Sequence, residues 1–249
     1  MTFFKKTVMT ATILAAFVCN AKVHHDPVIT AKSWLVADEK GTMLNGINTS
    51  DIRSIASITK LMTVMIVIDA GQSLSETIPA KLYNKEQTRQ TLIDLAMVKS
   101  DNQAARLLCE YYPGGFIACI RAMNAKASEL KMYTTRFVDP TGLTVMNTST
   151  AEDLVKLVMA ASSYTSITSA SNKATITVPS KKEKLIFHNT NPLIGHRPLL
   201  VSKTGFINRS GGCIVMMLPT ANGIRTVILL GSKNTHTRIP EASQISLRQ

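Results

Sequence analysis

The chain has 249 residues, 45% of them apolar and 5% aromatic, and 28 lysines and arginines against 16 acids give a formal charge of +12. A chain of this size and polarity buries a full core without staples, which excludes disordered, collagenous and disulfide-dense miniature proteins. No run reaches the roughly 18 apolar residues of a spanning helix, so no transmembrane anchor is expected; the basic residues are scattered and the aromatics few, so no nucleic-acid partner is expected either.

Lys5 and Lys6 precede an apolar stretch, Thr7 to Cys19, which ends in Cys19-Asn20-Ala21. A basic start, a short apolar centre and a small-x-small end read as a secretory signal peptide cleaved after Ala21, with a buried N-terminal helix as the alternative. Residues 22–249 would then form one domain, secreted to the periplasm or cell envelope. Export implies an oxidising compartment. Of Cys109, Cys119 and Cys213, the first two flank Pro113-Gly114-Gly115. If that segment turns one helix into another, a disulfide and two buried free thiols are both open.

Ser33–Ala37 and Met43–Leu44 read as strands of a hairpin around Glu39-Lys40-Gly41. Helices are expected over 57–70, 92–98, 103–112 and 116–130, and Asp139-Pro140-Thr141-Gly142 reads as a turn. Ser149-Thr150-Ala151-Glu152 fits a capping box that opens a helix to about Ala161. Short apolar runs at 185–188, 199–204, 213–218 and 224–230 read as an antiparallel meander, with a closing helix over 238–247. The expected fold class is α/β (α+β): an antiparallel sheet built from both chain ends, packed against a mainly helical region.

Three segments carry chemistry. Lys60 stands near the start of a helix that is otherwise apolar on every side, with Ile58, Leu61, Met62, Met65 and Ile66 in one stripe. A buried ammonium is costly unless paired or neutralised, and a neutral lysine three residues after Ser57 can act as a base towards that hydroxyl. Taken alone, the pair is better explained by Ser57 as a helix cap and Lys60 snorkelling to water. A second Ser-x-x-Lys, Ser128 to Lys131, lies in a polar helix end and reads as surface. Ser100 and Asn102, between two helices, could relay a proton and grip a substrate amide, or simply cap. Lys203-Thr204-Gly205 ends a strand, where a bare glycine admits a substrate backbone and the two side chains can hold a carboxylate. A second lysine near Lys60 would further depress that amine's pKa.

Together, in this order, Ser-x-x-Lys, Ser-Asp-Asn and Lys-Thr-Gly are the signature of penicillin-binding proteins and class A β-lactamases. From about Ser33 to Ala242 the chain resembles the low-molecular-mass penicillin-binding proteins, the serine D-alanyl-D-alanine peptidases. Ile55 to Thr63 and Thr135 to Leu143 carry that likeness. Tyr112 to Gly115, Ala122 to Ala127, His188 to Asn191 and Ser202 to Phe206 resemble its endopeptidase branch. The resemblance implies a transpeptidase-like fold and the following roles: Ser57 as nucleophile, Lys60 as base and Ser100 as proton carrier. Asn102 would hold the acyl-side amide, and Lys203, Thr204 and Gly205 would orient substrate. The backbone N–H groups of Ser57 and Phe206 would form the oxyanion hole, and Arg238 is a further candidate for a substrate carboxylate. Substrates would be peptidoglycan peptides, with β-lactams as acylating inhibitors. Ser75 to Gln90 is shorter than usual between the first two motifs, which implies a missing rim of the groove.

Three rivals remain to the cross-link-cleaving endopeptidase. A D-alanyl-D-alanine carboxypeptidase uses the same serine chemistry. A class A β-lactamase would need a deacylating carboxylate in Glu-x-x-Leu-Asn, and that region holds Asp139-Pro140-Thr141-Gly142-Leu143. A non-catalytic envelope-binding module would need three inert motifs. No metal-protease, Gly-x-Ser-x-Gly or phosphate-loop motif is present, so no metal or cofactor is expected.

Overall fold

The computed structural model describes residues 28–247, so the expected leader and its cleavage site lie outside the described residues. The chain runs through β1 (Ser33–Ala37), β2 (Met43–Ile47), β3 (Arg53–Ser54) and a 3-10 turn (Ala56–Ile58) into α1 (Thr59–Asp69). It continues through β4 (Thr77–Leu82), β5 (Lys85–Thr88), α2 (Arg89–Asp94), α3 (Asn102–Glu110) and α4 (Gly115–Glu129). Then follow β6 (Thr148–Ser149), α5 (Ala151–Ala161), α6 (Thr165–Ser171), β7 (Thr175–Pro179) and β8 (Lys184–His188). Last come β9 (Val201–Ile207), β10 (Gly211–Thr220), β11 (Gly223–Ser232) and α7 (Arg238–Ile245).

Five strands form one antiparallel sheet in the order β2-β1-β11-β10-β9, so the first hairpin pairs with the last strand, Val36 facing Val227. Both faces are covered, which is why Ile214–Leu218 and Val227–Leu230 are unbroken apolar runs rather than alternating ones. The two-residue period still sorts them. Val215, Met217, Ile228 and Leu230 face the helical region, whereas Ile214, Met216, Val227 and Leu229 face Ala242 and Ile245 of α7. Buried Glu241 of α7 accepts hydrogen bonds from the Thr30 and Ala31 N–H groups, which ties the start of the described chain to its end.

On the other side, α1 is the hub of the helical region. Residues 59–67 are all buried, as an all-round apolar helix must be. Gly114 and Gly115, both at positive φ, let the chain reverse between α3 and α4. That turn brings Cys109 and Cys119 within 5.3 Å (Cα–Cα), where they are joined as a disulfide; Cys213 remains a buried thiol. No helix among the described residues is long and apolar enough to cross a membrane.

Several elements depart from the sequence expectation. The run 185–188 does not join the meander: β8 pairs with β7 in a separate hairpin, because its alternating exposure leaves only one face to bury. Residues 77–88, read as a shortened connection, form the β4–β5 hairpin. The helix α5 is capped by Thr150, whose hydroxyl accepts from the Asp153 N–H, so the capping box falls one residue later than Ser149. Glu152 is then too early to reach back to the cap and bonds Thr49 Oγ1 instead, at 2.6 Å.

Candidate active site

Ser57 sits in the 3-10 turn that feeds α1, and Lys60 lies one turn further on. The turn is held open by Ala56, a non-glycine at φ 45°. Such a conformation persists only where its surroundings enforce it. Lys60 Nζ lies 2.9 Å from Ser57 Oγ, 2.7 Å from Asn102 Oδ1 and 2.6 Å from the Thr141 carbonyl oxygen. Its side chain is fully buried, and burial lowers its pKa to about 7, against the opposing pull of Asp139 and Asp101. A neutral amine has two N–H groups and one lone pair. Here two pure acceptors, a carboxamide oxygen and a carbonyl, take the two N–H groups. The lone pair is left for the Ser57 O–H.

Ser100 stands in the left-handed region, φ 61°, between a π-helical turn (Leu95–Lys99) and α3. Its Oγ accepts from Lys203 Nζ at 2.8 Å. Lys203 also donates to the Thr204 carbonyl, and its pKa is pushed well below the usual lysine value by burial, by Lys60 and by Arg238. The expected repulsion between the two lysines therefore appears at Lys203; at Lys60 the dominant cause is burial. Thr204 Oγ1 donates to Thr190 Oγ1 at 2.6 Å. Gly205 meets the nucleophile's own backbone, since a Cβ there would lie 3.0 Å from both the Ile55 carbonyl oxygen and the Ser57 nitrogen. Its bareness is needed first for packing β9 onto the Ser57 turn. Arg238, at the start of α7, donates to the Gly205 carbonyl at 2.8 Å.

One cleft of about 240 Å³ is lined by Ser57, Ser100, Asn102, Thr204, Gly205, Phe206 and Arg238, with Lys60 and Lys203 buried behind it. Every site residue singled out in the sequence thus converges on one place. The rival pair Ser128 and Lys131 is exposed on the surface.

Sequence reasoning missed the parts that hold this cleft. The Thr141 carbonyl is one, since backbone oxygens leave no trace in a sequence. Asp139 is another: it shapes the loop by accepting from the N–H groups of Thr141, Gly142 and Thr144. A third is a bracket around Ser100. Tyr83, at the tip of the β4–β5 hairpin, donates to Asp101 Oδ2 at 2.5 Å. Lys99 donates to both Tyr83 and Asp101, with its ammonium 4.1 Å from the Phe187 ring centroid. Asp101 in turn caps α3 through the Ala104 N–H. The only signal was the charge on both flanks of Ser100. A Tyr83→Phe protein, which keeps the ring but loses the hydroxyl, should fold normally yet acylate about fivefold more slowly, the cost of roughly one hydrogen bond. Melting temperature and the rate of penicillin labelling, measured side by side, check this.

Comparison with known proteins agrees with the geometry. A family model described as D-alanyl-D-alanine carboxypeptidase matches residues 20–82 and 73–234. A D-alanyl-D-alanine endopeptidase of Escherichia coli is 37% identical over 240 residues, 88% of this chain and 77% of its own. One of Pseudomonas aeruginosa is 34% identical over 236 residues, 87% of this chain and 76% of its own. Penicillin-binding protein D2 of Listeria monocytogenes, solved with ampicillin, shares the fold with a TM-score of 0.78 at 24% identity, over 88% of this chain and 96% of that one. On a family match that spans most of its length and relatives above 30% identity, this chain belongs to the serine D-alanyl-D-alanine peptidases.

Proposed function

We propose that the protein is a DD-endopeptidase that opens D-alanyl cross-links in peptidoglycan through an acyl-enzyme on Ser57. The observation that carries this is the buried Lys60 Nζ, held 2.9 Å from Ser57 Oγ by its contacts with the Asn102 carboxamide oxygen and the Thr141 carbonyl. Lys60 takes the hydroxyl proton as the oxygen attacks the D-alanyl carbonyl. The backbone N–H groups of Ser57 and Phe206 stabilise the oxyanion, and Asn102 holds the acyl-side amide. Ser100, which accepts from Lys203, relays a proton to the departing amine and is reprotonated with the proton Lys60 took from Ser57, so that Lys60 returns to its neutral form. Water then cleaves the ester and regenerates Ser57. Lys203, Thr204 and Arg238 orient the leaving strand. With a leader removed near Ala21, the domain would work in the periplasm or cell envelope, where its substrate lies.

β-Lactams would acylate the same serine; the Listeria protein was solved in its ampicillin-bound form. Their release is expected to be slow. Asp139, in the stretch where a class A β-lactamase would carry its deacylating carboxylate, has its oxygens held by N–H groups of its own loop and is poorly placed to activate water.

A carboxypeptidase reading keeps one point in its favour. The basic end of the cleft, Arg238 with Lys203 beside it, suits a terminal D-Ala carboxylate. Digestion of purified cross-linked and uncross-linked muropeptides, read by mass, separates the two. Loss of the cross-link supports the endopeptidase; loss of one terminal alanine with the cross-link intact overturns it.

A further inference from the structure

The loop that carries the Thr141 carbonyl and the turn that carries Ser57 must keep a fixed separation, because Lys60 is gripped by the one and serves the other. The two segments are distant in the sequence, so contacts alone set that separation. Asn147 joins them. It is fully buried and does not line the cleft, and nothing in the acylation chemistry uses it.

The Asn147 carboxamide has every hydrogen-bonding position filled. Oδ1 accepts from the Val138 N–H at 2.8 Å and from the Asp139 N–H at 3.2 Å. Nδ2 donates to the Asp139 carbonyl at 2.8 Å and to Thr59 Oγ1 at 3.0 Å. Each half of the amide thus meets partners of the opposite kind, which fixes its orientation. A hydroxyl has a single hydrogen. With its oxygen accepting from Asn147, Thr59 turns that hydrogen to the Ala56 carbonyl, at 2.7 Å. Ala56 is the residue at φ 45° immediately before Ser57, and its carbonyl is the one against which Gly142 packs. The Asn147 backbone carbonyl also accepts from the Ile55 N–H, at 3.1 Å. One residue therefore holds the loop at Val138 and Asp139 and the turn at Ile55 and Ala56.

We propose that Asn147 is a positioning residue for acylation: through the Thr59 hydroxyl it holds the left-handed Ala56 peptide, and through Asp139 it holds the loop, so that the Thr141 carbonyl presents Lys60 Nζ to Ser57 Oγ. The assignment rests on acylation at Ser57 with Lys60 as base. Loss of so many buried bonds must also cost stability. The distinguishing claim is that rate is lost in molecules that are folded.

The test measures penicillin labelling per folded molecule, with the folded fraction taken from circular dichroism. Two quantities are read: the first-order rate at saturating penicillin, and the concentration that gives half of it. Thr59→Val removes the hydroxyl but keeps the side-chain shape and the loop bonds of Asn147. It should lower the saturating rate about tenfold, the cost of one buried hydrogen bond and its orphaned partner. The half-saturating concentration should not change, because no group that holds the penicillin has moved. Thr59→Ser keeps the hydroxyl and should keep most of the rate. Asn147→Ala should lower the rate about a hundredfold, the scale of a 1 Å misplacement, again with half-saturation unchanged. The double variant should be no slower than Asn147→Ala, since the two side chains act in series; independent sites would multiply to about a thousandfold. If Asn147→Ala does not fold, the two Thr59 variants decide alone. A lowered melting temperature with the saturating rate kept overturns the role. So do a change mainly in half-saturation, equal losses in Thr59→Ser and Thr59→Val, or a double variant slower by the product. Absence of any label on the wild type would instead overturn acylation at Ser57.

Discussion

A Ser57→Ala protein should take up no label from a penicillin, while the wild type is labelled at a rate that climbs about tenfold between pH 6 and pH 8 and levels off above. The sign follows from the amine. Burial lowers the Lys60 pKa from 10.5 to about 7, and only the uncharged form can accept the serine proton, so the rate tracks deprotonation and rises with pH. The folded protein should survive the substitution. The 3-10 turn has no side-chain cap, and the Ser57 hydroxyl bonds Lys60. Lys60→Met should leave Ser57 in place but lower labelling by about a thousandfold, the usual contribution of a positioned base. Mass spectrometry of the labelled protein across pH, with circular dichroism as a folding control, decides this. Label retained on the alanine protein would place the nucleophile elsewhere.

Gly142→Ala should be nearly as damaging, for a reason remote from proton transfer. Gly142 sits at φ +79°, and a Cβ there would stand 1.9 Å from the Ala56 carbonyl oxygen and 2.9 Å from the Ser57 nitrogen. All these contacts are backbone, so no side chain can swing aside. Either the 139–144 loop withdraws, taking the Thr141 carbonyl from Lys60, or the Ser57 turn moves. We expect a loss of about 3 kcal/mol in stability from overpacking and strain. Labelling should fall about a hundredfold, the scale of a 1 Å misplacement. Gly71→Ala is the control: it has a similar positive φ (+67°) but nothing within 4 Å of the added carbon. It should cost only about 1 kcal/mol and leave labelling unchanged. Thermal melts and labelling rates on both proteins test the contrast.

What could be read from the sequence was what side chains announce. Lys60 was visible as a lone charge in an otherwise apolar helix, and only the company of the other two motifs outweighed a lysine snorkelling to water; the structure buries it fully. The central sheet was visible in its apolar runs and its Gly, Pro and Asn breaks. Geometry supplied by backbone was not visible: the Thr141 carbonyl, the left-handed Ala56 and Ser100, and the close approach behind Gly205. Strand β8 was read as part of the meander because a two-residue period reports that a strand exists, not which neighbour it pairs with, and its partner β7 was not read as a strand. The β4–β5 hairpin was missed because Lys85-Glu86-Gln87-Thr88 has little β-propensity. Its Tyr83 is nevertheless what braces Asp101.

The sheet order has a consequence for how the protein comes into being. β1 is seated against β11, Lys60 reaches its carbonyl across 81 positions of chain, and Lys203 reaches Ser100 across 103. Such long-range closure is slow and must await β11 (Gly223–Ser232). Until then Lys60 is solvated and charged, and Ser57 is an ordinary alcohol. An unfinished or half-folded chain is thus a dormant hydrolase, and covalent capture of a β-lactam counts fully native molecules, which makes it a direct gauge of folding yield.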